Sequence, residues 1–327
     1  MDVGWDCGNG IVVESGQAYI SNGGDGLRII DVSGVTNTTL SGTFDTDGRA
    51  QGIWVEGEHA FVADGYNGLV VLNVSDPSNP TLEGSIATSD QAIDVEVAGN
   101  LAYVLESPGE DAQLEIFDIT DPTAPSLEGS LMFSSDLGAG RLLVSGSLVY
   151  CNLAYSYDKK EDRLDHGAYL GVVDVSNSAA PTLVTEFCYE TIGESEPGGL
   201  DLSGNRIYAI DDNILAIIDV SDPYSPVVLG TFVDDWVRDV QVAGDIAYTA
   251  GCWDSPLIRA VNVLDPTAPY SAGLLASDMK GVGLVVDGDF AYIASEEYDL
   301  QIISLRSRIF SDGFEDGTTD IWSSISP

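Results

Sequence analysis

Short apolar runs of about four to seven residues alternate with polar turns along almost the whole chain. The runs are rich in Val, Ile, Leu and Tyr, and they are bounded by Gly, Asn, Asp and Pro. This composition is typical of β-strands, and no stretch shows the 3.6-residue period of an amphipathic helix. The pattern therefore predicts an all-β protein.

The same group of runs occurs seven times. A step from a small or aliphatic residue to an aromatic one marks each copy: "AYIS" (18–21), "AFVA" (60–63), "AYVL" (102–105), "VYCN" (149–152), "IYAI" (207–210), "AYTA" (247–250) and "AYIA" (291–294). Each copy contains four runs, except that the seventh ends after "LQIISLRSR" (300–308). Repeats of about 40 residues with four strands each predict a seven-bladed β-propeller of four-stranded antiparallel blades, because a small sheet can bury both faces only between two neighbours.

We name the strands of each blade A to D from the axis outward. The predicted A strands are centred near Val13, Val55, Val97, Val144, Leu202, Val242 and Val286. We expect "MDVGW" (1–5) to supply the missing D strand of the seventh blade and to close the ring, which removes an open sheet edge. The propeller then spans residues 1–308, and residues 309–327 form a short acidic tail.

A turn motif follows strand C in several copies, as in "IIDVSDPYSP" (217–226). Asp222 can accept a hydrogen bond within the turn, and Pro223 presets φ for the second turn position. The motif is therefore predicted to be structural, on the face that carries the A–B and C–D turns.

The repeats resemble those of a known family. "GLRIIDVS" (26–33), "GLVVLNVSDPSNPTLEGS" (68–85) and "LAIIDVSDPYSPVVLG" (215–230) are similar to LVIVD repeats over about residues 9–308. These proteins are bacterial and archaeal β-propellers, surface-bound or secreted, and some belong to the choice-of-anchor group. The resemblance implies export and supplies no catalytic residues.

The tail resembles a second pattern. "IFSDGFEDGTTDIWSS" (309–324) is similar to the GFESG-type C-terminal module of secreted bacterial proteins, which implies sorting or surface retention. The alternative is a disordered acidic tail.

The charge is extreme, with 53 Asp and Glu against 12 Lys and Arg and a net charge of −41. Such a field repels phosphate, so nucleic acid and anionic lipid are excluded as general partners. Acidic loops leave Ca²⁺ binding open as an alternative, although "NGGDGL" (22–27) and "DGYNGL" (64–69) lack the residue order of a calcium loop. We expect no other cofactor.

Cysteine and histidine usage argues against a zinc site. Cys7, Cys151, Cys188 and Cys252 lack a CxxC spacing, and His59 and His166 are the only histidines. Cys151 and Cys188 fall in one blade with strand C between them, which exceeds the usual reach of a disulfide. Disulfide pairing of the four is left open. No stretch reaches the ~18 apolar residues of a transmembrane helix, and the first residues do not resemble a signal peptide.

Length variation is concentrated in the B–C loops and in one D–A connection, which share one face of the propeller. The longest insertion, "LAYSYDKKEDRLDHGAY" (153–169), carries several of the scarce basic residues. We interpret this region as an interaction loop, because functional residues are frequent on such loops. Its candidate residues are Lys159, Lys160, Arg163, His166 and the neighbouring Trp253.

Other basic residues align at the entries to the A strands, near the axial channel. The candidate ligand-binding residues at this channel mouth are Arg49, Arg141, Arg238 and Lys280, with Asp94 and Asp239 beside them. One interpretation is a mixed-charge pocket for a polar or anionic small ligand, such as a carboxylate or a sugar. The alternative is structural: buried charges need partners, and these residues pair across neighbouring strands.

No GxSxG, HExxH or Walker motif is present. We therefore favour a non-enzymatic role as an extracellular or cell-surface binding module, monomeric, with a small polar ligand, a glycan or a surface protein as partner. The alternative is a secreted propeller enzyme, a hydrolase or lyase, with its site in the axial pocket.

Overall fold

The computed structural model describes residues 10–107, 111–134, 137–155, 167–190, 197–211, 213–234, 237–251, 257–277, 283–295 and 299–305. Within these residues every regular element is a β-strand. No helix in this part of the chain has the length and apolarity to cross a membrane.

The strands form seven separate antiparallel sheets, the blades, each built in chain order. Blades 1 to 3 contain β1 (Ile11–Glu14), β2 (Gln17–Ser21), β3 (Leu27–Asp31) and β4 (Thr39–Phe44); β5 (Gly52–Glu56), β6 (His59–Ala63), β7 (Leu69–Asn73) and β8 (Thr81–Ile86); β9 (Ala92–Ala98), β10 (Leu101–Glu106), β11 (Gln113–Asp118) and β12 (Ser126–Met132). Blades 4 and 5 contain β13 (Leu137–Ser145), β14 (Leu148–Tyr155), β15 (Ala168–Asp174) and β16 (Thr182–Glu190); β17 (Pro197–Ser203), β18 (Arg206–Asp211), β19 (Ile214–Asp219) and β20 (Val227–Val233). Blades 6 and 7 contain β21 (Val237–Ala243), β22 (Ile246–Gly251), β23 (Leu257–Asn262) and β24 (Tyr270–Ser277); β25 (Gly283–Asp287), β26 (Phe290–Ser295) and β27 (Asp299–Ser304).

The blades are arranged in a ring, so the predicted seven-bladed β-propeller is confirmed. The first strand of each blade contacts the first strand of the next, and β25 of blade 7 contacts β1 of blade 1. These seven A strands therefore line the axis, and all seven predicted A-strand centres lie within them. The described part of blade 7 has three strands, and the predicted closing strand, residues 1–5, lies outside the described residues.

The hydrophobic core consists of seven clusters, and each joins two neighbouring blades. One cluster closes the ring, since Ile11 and Ile20 of blade 1 pack with Tyr292 and Leu300 of blade 7. The aromatic residue of each repeated step lies on strand B and is buried in all seven blades. Blades thus bury both faces against their neighbours, as the repeat pattern predicted.

Every A–B turn contains a glycine with positive φ, between 57° and 78°. Side chains with a Cβ rarely adopt this conformation, which explains why glycine recurs at the turn in every repeat. The seven turn glycines are Gly16, Gly57, Gly99, Gly146, Gly204, Gly244 and Gly288.

The turn between strands C and D locks one blade onto the previous one. Asp222 accepts a hydrogen bond from the backbone N–H of Tyr224 at 3.1 Å, as predicted for this motif. The turns also cover a glycine on strand D of the preceding blade: a Cβ at Gly84 would overlap the carbonyl oxygen of Pro122, and one at Gly230 that of Pro266. The repeated Asp-Pro motif is therefore a blade-to-blade contact.

Candidate functional site: the axial channel

Three charged side chains of the predicted channel mouth lie in one layer of the A strands. Arg141 of β13 forms a salt bridge with Asp94 of β9, in the neighbouring blade, with 2.9 Å between Nη1 and Oδ1. Asp239 of β21, two blades further on, is close enough for its charge to act on Arg141. The structure therefore brings together three of the six predicted channel residues from blades 3, 4 and 6.

The carboxylates in this layer also bind backbone. Asp94 accepts a hydrogen bond from the N–H of Leu142 at 2.9 Å, and Asp239 accepts one from the N–H of Leu284 at 2.8 Å. Both donors lie on the A strand of the following blade. An innermost strand has a partner strand on one side only, so its N–H groups that face the axis need other acceptors.

A second layer follows the same rule one step deeper in the channel. Glu96 accepts the N–H of Val144, Asp201 accepts that of Val242 at 2.5 Å, and Gln241 accepts that of Val286. In each of these pairs the acceptor belongs to one blade and the donor to the next. We call these contacts the channel clasps, and their acceptors are Asp94, Glu96, Asp201, Asp239 and Gln241.

The clasp residues have a fixed spacing from the turn glycine of their own blade. Asp94 and Asp239 stand five residues before Gly99 and Gly244, whereas Glu96, Asp201 and Gln241 stand three residues before theirs. The sequence contains this signal, but the predicted candidates include only Asp94 and Asp239. Glu96, Asp201 and Gln241 are not among them, although their common spacing from the turn glycine identifies them.

Two glycines leave room for the clasps. Gly52 of blade 2 approaches Asp94 so closely that an added Cβ would lie 2.6 Å from its Oδ1 atom, and Gly199 of blade 5 approaches Asp239 in the same way. Both glycines occupy the position equivalent to the Asp that they face, five residues before the turn glycine. A glycine in one blade thus accompanies a clasp carboxylate in the next.

The channel environment changes the acidity of these groups. Burial is the main cause that raises the pKa of Asp239 to about 6, against the opposing effects of Arg141 and two backbone hydrogen bonds. Burial raises the pKa of Glu96 to about 8, and the charges of Asp94 and Asp201 contribute in the same direction. Burial works to lower the pKa of Arg141, but the charges of Asp94 and Asp239 outweigh it, so the guanidinium remains charged.

Two of the remaining candidates, Arg49 and Arg238, are described, and the others lie outside the described residues. Arg49 stands in the connection between blades 1 and 2, where its backbone N–H donates to the backbone carbonyl of Asp64 at 3.4 Å. Arg238 precedes Asp239 on β21. Both make further interactions. The candidates outside the described residues are Lys280, Lys159, Lys160, Arg163, His166 and Trp253.

The described cysteines carry free thiols. Cys151 is buried on β14 and Cys188 is partly buried on β16, with β15 between them, as the strand order predicted. Cys7 and Cys252 lie outside the described residues. Across the part of the chain that is described, no group of three or more His, Cys, Asp and Glu side chains is arranged to hold a metal ion.

The repeats themselves match a known family model. The LVIVD repeat model matches residues 8–46, 47–88, 90–132, 165–188, 198–234 and 281–305, which together make up more than half of the chain. The chain belongs to the LVIVD repeat family. The segments of this LVIVD-repeat protein that the model does not match include blade 6 and the first half of blade 4, so the repeat pattern is weakest there. A search of curated proteins finds no match.

Solved structures with the same architecture have very different sequences. A functionally unknown protein from Desulfotomaculum acetoxidans DSM 771 is 10% identical, with a TM-score of 0.63 over 93% of this chain and 96% of that one. The β-propeller domain of Myceliophteria thermophila Cps50 (Swd1) is 11% identical, with a TM-score of 0.66 over 91% and 96%. A chain of the mitotic checkpoint complex is 9% identical, with a TM-score of 0.70 over 91% and 89%. At these identities the similarity shows the propeller fold alone. The propeller and its LVIVD repeats together are consistent with a binding or interaction module.

Proposed function

We propose that this LVIVD-repeat protein is an extracellular or cell-surface binding module whose ligand site is the loop-side mouth of the axial channel. The observation that carries the proposal is the layer formed by Asp94, Arg141 and Asp239, in which charged groups from three blades converge. Arg141 keeps 22% of its side chain exposed and is thus accessible to a small ligand. A small polar ligand with both donor and acceptor groups fits such a layer.

The extracellular location rests on the family resemblance and on the GFESG-like pattern of residues 309–324. By its sequence, the insertion with Lys159, Lys160 and Arg163 is predicted to offer a second contact region for a glycan or a surface protein. Its basic residues stand out against the net charge of −41 and would select an acidic partner.

A screen of organic acids, sugars, amines and Ca²⁺ by thermal shift tests the channel-mouth site, since a ligand that binds the native state raises the melting temperature. Asp239→Asn should weaken the binding of a hit in calorimetry, and it retains an oxygen acceptor for the Leu284 N–H. Asp222→Asn, in a C–D turn on the opposite face, is the matched control and should bind as the parent does. Equal affinity of all three proteins would place the ligand outside the channel mouth.

The alternative function, a secreted hydrolase or lyase, is favoured by one observation. A carboxyl with a pKa of about 6 and another with a pKa of about 8 are suited to proton transfer near neutral pH. Asp239 and Glu96 both hold backbone N–H groups of the next blade, however, which gives each carboxyl a structural task. We therefore favour binding. Turnover of a bound sugar or acid that is lost in Asp239→Asn would reverse this preference.

A further inference from the structure

Blade 3 contains a pair of buried carboxyl groups that the channel does not use. Glu106 ends β10 and is 0% exposed, and Glu115 lies on the adjacent β11 and is 2% exposed. The two carboxyl groups are within hydrogen-bonding reach of each other. Within the described residues, the charges that act on Glu106 are those of Glu115 and Asp90, and both are negative.

The pair holds the connection between blades 2 and 3, residues 87–91. The N–H of Asp90 donates to Glu106 Oε2 at 2.6 Å, and the hydroxyl of Ser89 donates to Glu115 Oε1 at 2.5 Å. Gln113 donates a longer hydrogen bond to the same Glu115 oxygen, at 3.3 Å. The second oxygen of Glu106, Oε1, is buried and receives no hydrogen bond from a described donor.

A buried carboxylate oxygen that has no described hydrogen-bond donor and lies beside a second carboxyl group favours protonation of the pair. Two ionised carboxylates have no donor between them and repel each other, whereas one proton supplies the missing hydrogen bond and removes the repulsion. Burial and the neighbouring carboxyl act together to raise the pKa of Glu106 to about 9, in agreement with the geometry.

The equivalent position in blade 2 shows the difference. Asp64 occupies the same place at the end of strand B as Glu106, and it is also fully buried. Its two oxygens accept separate hydrogen bonds, from the hydroxyl of Thr46 at 2.6 Å and from the amide of Asn67 at 3.1 Å. The position equivalent to Glu115 is Val70 in this blade. Blade 2 therefore satisfies one acid with neutral donors, whereas blade 3 places two acids together.

We propose that Glu106 and Glu115 share one proton and hold the connection between blades 2 and 3 in a pH-sensitive way. This contact, which is separate from the channel clasps and is called the clasp below, loosens when the pair loses its proton. The connection leads directly into β9, which carries Asp94 and Glu96. Its end is fixed to both blades, since the backbone carbonyl of Gln91 accepts the N–H of Ser107 at 3.0 Å. Ala92, the first residue of β9, exchanges backbone hydrogen bonds with Gly65 of blade 2. Loosening the clasp therefore loosens the mouth of the channel at blade 3.

The direction in which pH changes the stability follows from which state, folded or unfolded, binds the proton more tightly. The folded state binds the proton of Glu106 more tightly than the unfolded chain does, because the pKa rises from the ordinary 4.5 to about 9. Stability contributed by the protonated pair is thus fully present at low pH, is lost progressively as pH rises between these two values, and falls no further above them. The loss should be visible across the neutral and mildly alkaline range.

Melting temperatures between about pH 5 and about pH 10 test the clasp in the parent, in Glu106→Gln and in Glu128→Gln. Glutamine at position 106 keeps an acceptor for the Asp90 N–H and adds a donor towards Glu115. The advantage of Glu106→Gln over the parent should therefore grow as pH rises. Glu128 is exposed on β12 of the same blade, so Glu128→Gln makes the same change of side chain away from the pair and should give a constant offset. Parallel curves for all three proteins would overturn the proposal.

A local measurement separates the clasp from global effects. The hydrogen-exchange protection factor of the Asp90 amide should fall with rising pH in the parent and stay level in Glu106→Gln. If that variant does not fold, Glu115→Gln serves the same comparison, because it also leaves a single acid in the pair. Titration of the Glu106 carboxyl by ¹³C NMR at its ordinary pKa, instead of an alkaline one, would also exclude a shared proton.

Discussion

At the scale of single residues, the axial channel is stabilised by charged side chains that accept hydrogen bonds from backbone N–H groups. Arg141 and Asp94 form the described ion pair of the channel layer, and Asp94 keeps 8% of its side chain exposed. Removing one partner of such a pair leaves the other charge buried without compensation. The two residues should therefore be strongly coupled in stability.

Arg141→Met should lower the free energy of unfolding by about 3–5 kcal/mol, because it removes the cation whose charge acts on both Asp94 and Asp239. Adding Asp94→Asn should recover part of the loss, which a double-mutant cycle in urea measures as a coupling energy. Arg206→Met, at the A–B turn of blade 5, is the control: Arg206 is half-buried at the rim and its charge acts on Asp219, so its loss should cost about 0–1 kcal/mol. Additive effects of the two channel substitutions would contradict the coupling.

Arg141→Met should also change how the free energy of unfolding depends on pH. The pKa of Asp239 is raised from 3.8 to about 6, so the stability linked to its protonated form is present at low pH and is lost as pH rises between these values. Arg141 lowers this pKa, and its removal should extend the loss to higher pH. Urea titrations at several pH values check this, and an unchanged window would argue against contact between the two charges.

Part of this site was predictable from the sequence. Basic residues are so scarce that Arg141 stands out at the entry to an A strand, and the sequence predicts Asp94 and Asp239 beside it. Their partners were not predictable, because Asp94 accepts the N–H of Leu142, which is 48 residues away in the sequence and lies on the next blade. Such a contact depends on how neighbouring sheets are staggered, and a repeat pattern alone does not specify that stagger.

At the scale of strands and turns, the propeller is assembled from contacts between one blade and the next. The strand order and the tight A–B turns follow from local pattern, since alternation, aromatic steps and turn glycines are all short-range signals. The contacts of the covered glycines on strand D are not among the predictions from the sequence. Their signal was present in the sequence, where "PTLEGS" in one unit precedes an Asp-Pro turn in the next.

Gly84→Ala tests the lock between strand D and the following turn. A methyl group at this position overlaps the carbonyl oxygen of Pro122, so the substitution should lower the free energy of unfolding by about 1–3 kcal/mol through overpacking. Gly273→Ala is the matched control on blade 6, where no described atom lies within 4 Å of the added Cβ. It should be neutral or slightly stabilising, because alanine restricts the unfolded chain. Equal losses in urea denaturation for both variants would mean that the effect arises from the strand and not from the turn.

At the scale of the whole molecule, the buried cores between the blades and the net negative charge act on stability in opposite directions. Seven clusters of buried residues join the blades into a closed ring, and one of them connects the last blade to the first. A net charge of −41 acts against this compact state through self-repulsion. Many of these charges are ionised acids in the C–D turns: hydrogen bonds from Ser78 and Thr123 lower the pKa of Asp76 and Asp121.

Salt should therefore stabilise the protein. Raising NaCl from about 0.01 M to about 1 M shortens the Debye length from about 30 Å to about 3 Å, which screens repulsion between surface carboxylates and should raise the melting temperature. CaCl₂ at matched ionic strength separates screening from specific binding: an equal rise means screening alone, and a larger, saturable rise means that acidic loops bind Ca²⁺. A melting temperature that does not rise with NaCl would show that the acidic surface does not limit stability. The cores between the blades would then set the melting temperature, and substitutions in the cluster that joins blade 7 to blade 1 would shift it more than any change of surface charge.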